Sequence, residues 1–329
     1  MRKPHTALFR AFLAVLSVVA PSAANLCGTS PLPRYLSRAS LPAPPRTAPP
    51  ESLPESLLWA FTRCGSIPVS SFYVDDTRGG AGTRYAHSLA DIEARIAAAT
   101  RELRAPPPPP LPPRGAGAAA RGSRASWAHL LAAARLPAVA AALRGGSVAV
   151  FGSSSPAVEA LALAGGAARV VTVEYNALEY AHPLLSTATP AGVAAAWAAG
   201  NATLLPPPRA FSLALSVSSF DHDGLGRYGD PLAPDGDFAA MDGMAAYLAP
   251  GALALVSVPV GPDRVFMNLM RRYGRVRLPL LLEGWEVLER VGWHEAMLDA
   301  AADGAGGSPG PSYEPVFVLR WRGDAAREL

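Results

Sequence analysis

SVAVFGSSSPAVEALALAGGAARVVTVEYN, residues 147 to 176, decides how this chain is read. An aliphatic run from Val148 to Phe151 ends at Gly152, three serines follow, and Pro156 opens a segment with helical periodicity. A second run, Val170 to Val173, closes on Glu174. Runs of this kind belong to strands covered on both faces, which means parallel strands joined by helices. The stretch therefore predicts strand, tight turn, helix, strand. Downstream, a weak strand is predicted near Leu184 to Thr187, and stronger ones at Phe211 to Val217, Ala252 to Val258 and Val316 to Trp321. Helical segments separate them, so the fold class is α/β, a doubly wound, mostly parallel, Rossmann-like sheet.

Working outward, residues 126–322 form this domain and 323–329 a tail. In residues 1–24, Arg2, Lys3 and Arg10 precede an uncharged run from Ala11 to Ala20 and then small residues. That order is the one found in secretory signal peptides. The run is shorter than the roughly 20 residues a spanning helix needs, so no stable membrane span is expected beyond an N-terminal anchor. The first acidic residue is Glu51, and Arg34, Arg38 and Arg46 lie among serines, which also suits an organelle transit peptide. The expected location is the secretory pathway (lumenal, Golgi or secreted), with an organelle as the alternative. Residues 25–56 read as a flexible stem. Residues 57–104 form an ordered N-terminal segment in which Ile92, Ile96 and Ala99 recur at helical spacing. Residues 105–125 are a Pro/Gly-rich linker, where polyproline II over Pro106 to Pro113 would span about 25 Å.

Half of the 329 residues are hydrophobic and 17% are charged, enough for one sizeable core plus a smaller appendage. The net charge of +3 comes with a single lysine, Lys3, and arginines spread along the chain without interleaved aromatics. Nucleic acid is therefore not an expected partner. Cys27 and Cys64 are either a disulfide, which would stabilise the segment by about 4 kcal/mol, or two unrelated thiols. Asn201-Ala202-Thr203 is a glycosylation sequon.

Gly152 permits the sharp turn, and Ser153 to Ser155 either cap the following helix or offer hydroxyls to a ligand. Only one glycine remains where a pyrophosphate site needs several, so a nicotinamide dinucleotide fits poorly. Glu174 either binds ribose hydroxyls, for which a carboxylate after the second strand is placed, or is a solvated residue at a strand end, and Tyr175 stacks on a cofactor or packs. The loop after Val217, "SSFDHDGLGRYGDPLAPDGD", lies beside this turn in such a sheet. Its Asp221 and His222 are candidates to orient a hydroxyl and take its proton; the alternative is turn hydrogen bonds and packing. Arg227, Tyr228 and Asp230 follow as candidate substrate contacts. The aspartate spacing fails the EF-hand pattern at Leu225, so no metal is expected. "YLAPGALALVSVPVG" predicts a helix to Leu248, a turn at Pro250 and Gly251 and a strand. Arg271, Arg272, Arg275 and Arg277 either meet an anionic substrate or lie on the solvated face of a helix.

In this order, "VAVFGSSSP", "VVTVEYN" and "YLAPGALALVSVP" resemble the motifs of class I S-adenosylmethionine-dependent methyltransferases. "SVSSFDHDGLGRYGDPLAPDGD" with "RRYGRVRLPLLLEGWE" is similar to domain-of-unknown-function family number 268. The resemblance covers about residues 127–322. It implies that Gly152, Ser153, Ser154, Glu174 and Tyr175 contact S-adenosylmethionine, with Ser218, Ser219 and Phe220 beside it. It also implies methyl transfer, with a glycan or small hydroxyl compound as acceptor; the alternative is a non-catalytic binding or scaffolding protein. The departures are Ser154 and Ala252, where methyltransferases carry glycine. Neither excludes a cofactor without a pyrophosphate.

Overall fold

The computed structural model describes residues 48–106, 123–200, 205–300, 303, 309–310 and 312–322. The targeting segment, Cys27, most of the linker, the Asn201 sequon and the tail lie outside them, whereas Cys64 is disulfide-bonded. In chain order the N-terminal segment gives α1 (Glu55–Phe61), β1 (Val69–Ser71), β2 (Arg84–His87) and α2 (Leu89–Arg104). The next run holds α3 (Ser123–Ala134), α4 (Pro137–Leu143), β3 (Ser147–Phe151), α5 (Ala157–Ala164), β4 (Arg169–Val173), β5 (Ala177–Tyr180), β6 (Leu185–Ala188) and α6 (Pro190–Ala198). The last holds β7 (Phe211–Val217), α7 (Gly236–Ala245), β8 (Leu248–Ser257), β9 (Arg264–Met267), β10 (Met270–Arg272), α8 (Arg277–Leu281), β11 (Trp285–Val291) and β12 (Val316–Trp321).

Seven strands form the main sheet in the order β11-β12-β8-β7-β3-β4-β6. β3 is parallel to β4 and β7, β4 to β6, and β7 to β8, while β12 runs against β8 and β11. Alternate residues of each strand enter opposite cores. Ala149, Val171, Ala214 and Val256 pack with Val193 of α6, Met241 and Met244 of α7 and Leu281 of α8. Val148, Val150, Val170 and Leu215 pack with Ile92 of α2, Leu130 of α3, Val139 of α4 and Leu161 of α5. Burial on both faces, worth about 1.5–3 kcal/mol per large aliphatic side chain, is why these runs show no polar alternation. From β3 the chain winds outward to β4 and β6, then returns to β7 on the other side of β3. The loops leaving β3 and β7 therefore diverge, and a crevice forms at their C-terminal ends.

The N-terminal segment spans this crevice. β1 pairs in parallel with β9, and β2 pairs in parallel with β5. A small third core of Phe61, Ile67, Leu225, Val265 and Met267 seats α1 against the loop after β7. Among the described residues no single helix is long and apolar enough to cross a membrane; α3 from Ala125 with α4, bent by 81°, passes only as a pair, and Leu130, Leu131 and Val139 of that pair are core residues.

Two expectations are corrected. The helix expected to reach Leu248 ends at Ala245, and Leu248–Ser257 is one strand. Pro250 and Gly251 sit inside that strand, where β8 advances from Leu248 to Leu253 while β7 advances only from Phe211 to Leu213. Proline cannot donate to a ladder, so the extra residues bulge outward instead of ending the strand. The arginine-rich stretch is not a solvated helix face. Arg271, Arg272 and Arg277 are buried, on β10 and at the start of α8.

Candidate functional site

The turn after β3 is built as its glycine requires. Gly152 has φ +67° and donates its N–H to Val173 O at 2.9 Å. A β-carbon there would lie 1.8 Å from Ser219 Oγ, so the tip of β7 rests directly on the turn. Ser154 accepts a hydrogen bond at its carbonyl from His87 Nε2 of β2 at 2.9 Å. The serines do not cap α5, whose N-cap is Pro156 without a side-chain bond. Instead Ser153 Oγ lies 2.9 Å from Ser155 O and 3.1 Å from Glu159 Oε2. Its single hydroxyl hydrogen is offered to these two acceptors. Burial pushes the fully buried Glu159 carboxyl above its ordinary value, against the hydrogen bonds it accepts. Thr172 Oγ1 and Tyr180 Oη complete its contacts at 2.8 and 3.1 Å.

Glu174 closes β4 as expected and is almost fully buried. Its Oε1 accepts from Asn176 N at 2.8 Å and Asn176 Nδ2 at 2.9 Å, and Asn176 Oδ1 in turn accepts from Thr83 N at 3.3 Å. Tyr175 is partly exposed; the charge of Asp223, burial and the charge of Asp230 push its hydroxyl up. The tip of β7 carries Ser218, with φ +49° and its N–H on Ser257 O at 2.9 Å. Phe220 is buried against Phe151, ring centroids 5.8 Å apart.

A 3-10 turn, Phe220–His222, then places Asp221 wholly inside. Neither Asp221 carboxyl oxygen has a hydrogen-bond partner among the described residues; His222 Nε2 lies 3.5 Å from Oδ2. His222 Nδ1 donates to Leu269 O at 2.6 Å, which fixes the ring and leaves Nε2 on the Asp221 side. Burial raises the Asp221 carboxyl, opposed by His222, Arg271 and Arg227. Asp223 is raised well above its ordinary value by burial and by Asp230. Arg227 stacks on Tyr228 at 5.1 Å and donates from Nε to Asp76 at 2.6 Å. Asp230 accepts from Gly224 N, Gly226 N and Tyr228 N at 2.7, 3.2 and 3.3 Å and so organises its own loop. The sequence-predicted groups thus converge on one edge of the sheet. Among the described residues no group of three or more His, Cys, Asp or Glu could hold a metal.

Three groups carried no sequence signal of their own. Glu314, just before β12, accepts from Ser126 Oγ of α3 at 2.6 Å, and its carbonyl faces His129 Nδ1 at 3.1 Å. His87 and Asp76 reach the site only because the N-terminal segment crosses it. A shallow cavity of about 170 Å³, lined by Glu102, Ala105, Pro106, Ala128, Leu131 and Arg135, lies between α2 and α3. None of the converging groups lines it.

Residues 145–298 match the DUF268 family, described as a Caenorhabditis protein of unknown function. The DUF268 match takes in the β3 turn, Glu174, the whole β7 loop and the buried arginines, and stops short of Glu314. No curated protein matches the chain. Among solved structures, Burkholderia thailandensis 1,6-didemethyltoxoflavin-N1-methyltransferase, with bound S-adenosylhomocysteine, is 19% identical. That match covers 57% of this chain and 78% of that one, with a TM-score of 0.33. The N-methyltransferase NodS from Bradyrhizobium japonicum WM9, also in complex with S-adenosylhomocysteine, is 14% identical over 69% of this chain and 98% of that one, with a TM-score of 0.34.

Proposed function

We propose that the chain binds S-adenosylmethionine at the C-terminal edge of β3 and β4 and methylates a small acceptor, a hydroxyl compound such as a glycan. The observation that carries this reading is the contact of the left-handed Gly152 turn with the β7 tip at the point where the strand order reverses. A side chain at position 152 would be excluded there, as a site of close backbone approach requires. Gly152, Ser153 and Ser154 would hold the cofactor's amino acid end and Glu174 its ribose, with Tyr175, Ser218, Ser219 and Phe220 around it. The cofactor, when bound, supplies a methyl group on a sulfonium. The protein's part is to orient the acceptor and receive its proton, for which His222 and Asp221 are the proposed pair and Arg227, Tyr228 and Asp230 the flanking loop. The glycan acceptor follows from placing the chain in the secretory pathway, which the charge and apolar order of residues 1–24 supports.

One observation favours the alternative, a non-catalytic member of the fold. Phe220 is buried and packs against Phe151 beside the turn. Calorimetry of the full chain with S-adenosylmethionine separates the two. Saturable binding of the cofactor and its demethylated product, lost in Gly152→Val, is the expected result; no heat at millimolar cofactor would leave the non-catalytic reading.

A further inference from the structure

Just before β12 lies a second carboxyl, Glu314, that the proposed reaction has not used. Asp221 is fully buried, and neither of its oxygens receives a hydrogen bond among the described residues. Glu314 is in electrostatic contact with it and is held by the hydroxyls of Ser126 and Ser218. Ser257, whose carbonyl takes the Ser218 N–H, has a buried hydroxyl without a partner. Glu314 and Ser218 are half-buried, and Asp221 is fully buried. What Asp221 lacks is donors. Buried acceptors without partners are costly, so the natural complement is a molecule that brings several O–H or N–H groups.

We infer that Glu314, Asp221 and Ser126 form the acceptor subsite of the proposed methyl transfer and that they take a neutral molecule with adjacent hydroxyls. This rests on the reading above and adds the acceptor's chemistry. Charge selects hydroxyls over an ammonium group, because Arg271 and Arg227 already act on Asp221 as cations. In the step, the acceptor oxygen forms a bond to the methyl carbon while the carbon–sulfur bond breaks, its electron pair neutralising the sulfonium. The hydroxyl proton passes to the His222 and Asp221 pair, while Glu314, its carboxyl raised above the ordinary value by burial with the charge of Asp221 added, accepts from the neighbouring hydroxyl.

Saturation-transfer NMR of the full chain with three ring probes, cis-1,2-cyclohexanediol, cyclohexanol and cyclohexylamine, tests the subsite without requiring turnover. The expected order is diol above alcohol, with the amine weakest. Glu314→Gln should weaken the diol about ten- to hundredfold, the range for losing a hydrogen bond to a charged group. Ser126→Ala should weaken it less, while Glu286→Gln, in a surface ion pair with Arg320, leaves it unchanged. A thermal midpoint measured for each variant separates misfolding from lost binding, and Ser126→Ala keeps the test alive should Glu314→Gln fail to fold. Preference for the amine, or diol binding indifferent to both variants, overturns the proposal. Diol binding without S-adenosylmethionine binding would instead sink the methyl-transfer reading and leave the subsite standing.

Discussion

Two buried polar clusters flank the loop between Asp223 and Pro234, and their surpluses are opposite. Around Asp237 donors are in excess. Arg277 binds Asp237 through Nε at 2.9 Å and Nη2 at 2.5 Å, Tyr273 Oη adds 2.9 Å, and Arg271 grips the carbonyls of Asp223, Ala233 and Pro234. Arg271 Nε and Arg277 Nη1 are left over. Around Asp221 and Glu314 acceptors are in excess. Guanidinium does not give up its proton in a protein, so the first cluster carries fixed charge, whereas carboxyls can adjust theirs. Fixed charge suits a clamp that holds a loop, and adjustable charge suits a place where a ligand arrives or a proton moves.

The largest effect should come from breaking the clamp. Asp237→Ala leaves Arg277 and Arg271 buried without their counter-ion and should cost about 3–5 kcal/mol in denaturant unfolding; a loss below 1 kcal/mol would show that the carbonyls suffice. Burial alone would raise the Asp237 carboxyl, but Arg271, Arg277 and the Tyr273 hydrogen bond hold it below its ordinary value. Its contribution is therefore present above the unfolded value of 3.8 and is lost as pH falls through the lower folded value.

Next in size is Gly152→Ala, expected to cost about 1–2 kcal/mol from the left-handed backbone alone. The new methyl must also displace Ser219, so cofactor binding should fall more than stability does; an unchanged calorimetric isotherm would detach the β7 tip from the site. A smaller effect concerns Glu159. Its folded value is raised, so the native state keeps a proton that the unfolded chain releases near 4.5, and stability falls as pH rises from there toward the folded value. Glu159→Gln should flatten that slope in chemical melts between pH 4.5 and 8, and an unaltered slope would mean the group titrates normally. The smallest is Arg275→Ala. Arg275 is exposed and pairs with Asp299 and Glu295 at 2.9 and 3.3 Å, and screened surface pairs contribute little, so no change in thermal midpoint is expected.

How much of this was legible in the chain follows from what covers each residue. Val148 to Phe151, Val170 to Val173 and Val316 to Trp321 announced themselves because both faces of their strands are buried. β9 and β10 did not, since three- and four-residue strands carrying Arg264, Arg271 and Arg272 look like solvated surface until Asp237 and Asp303 are brought beside them. Gly152 and Glu174 could be found because sheet topology fixes their places relative to nearby strands. Glu314 could not, because its partner Ser126 lies 188 residues away and only the antiparallel insertion of β12 unites them.

That N-terminal strap has a kinetic side. Its strands pair residue 84 with residue 177 and residue 69 with residue 265, among the most distant strand pairings of the described residues. Contacts that close such long loops tend to form after local ones. The parallel sheet and its helices should therefore assemble first, with the strap docking onto a nearly finished molecule. Reversal takes the same route, so the first segment to exchange its amide hydrogens, or to meet a protease, would be the one lying across the C-terminal ends of β3 and β4.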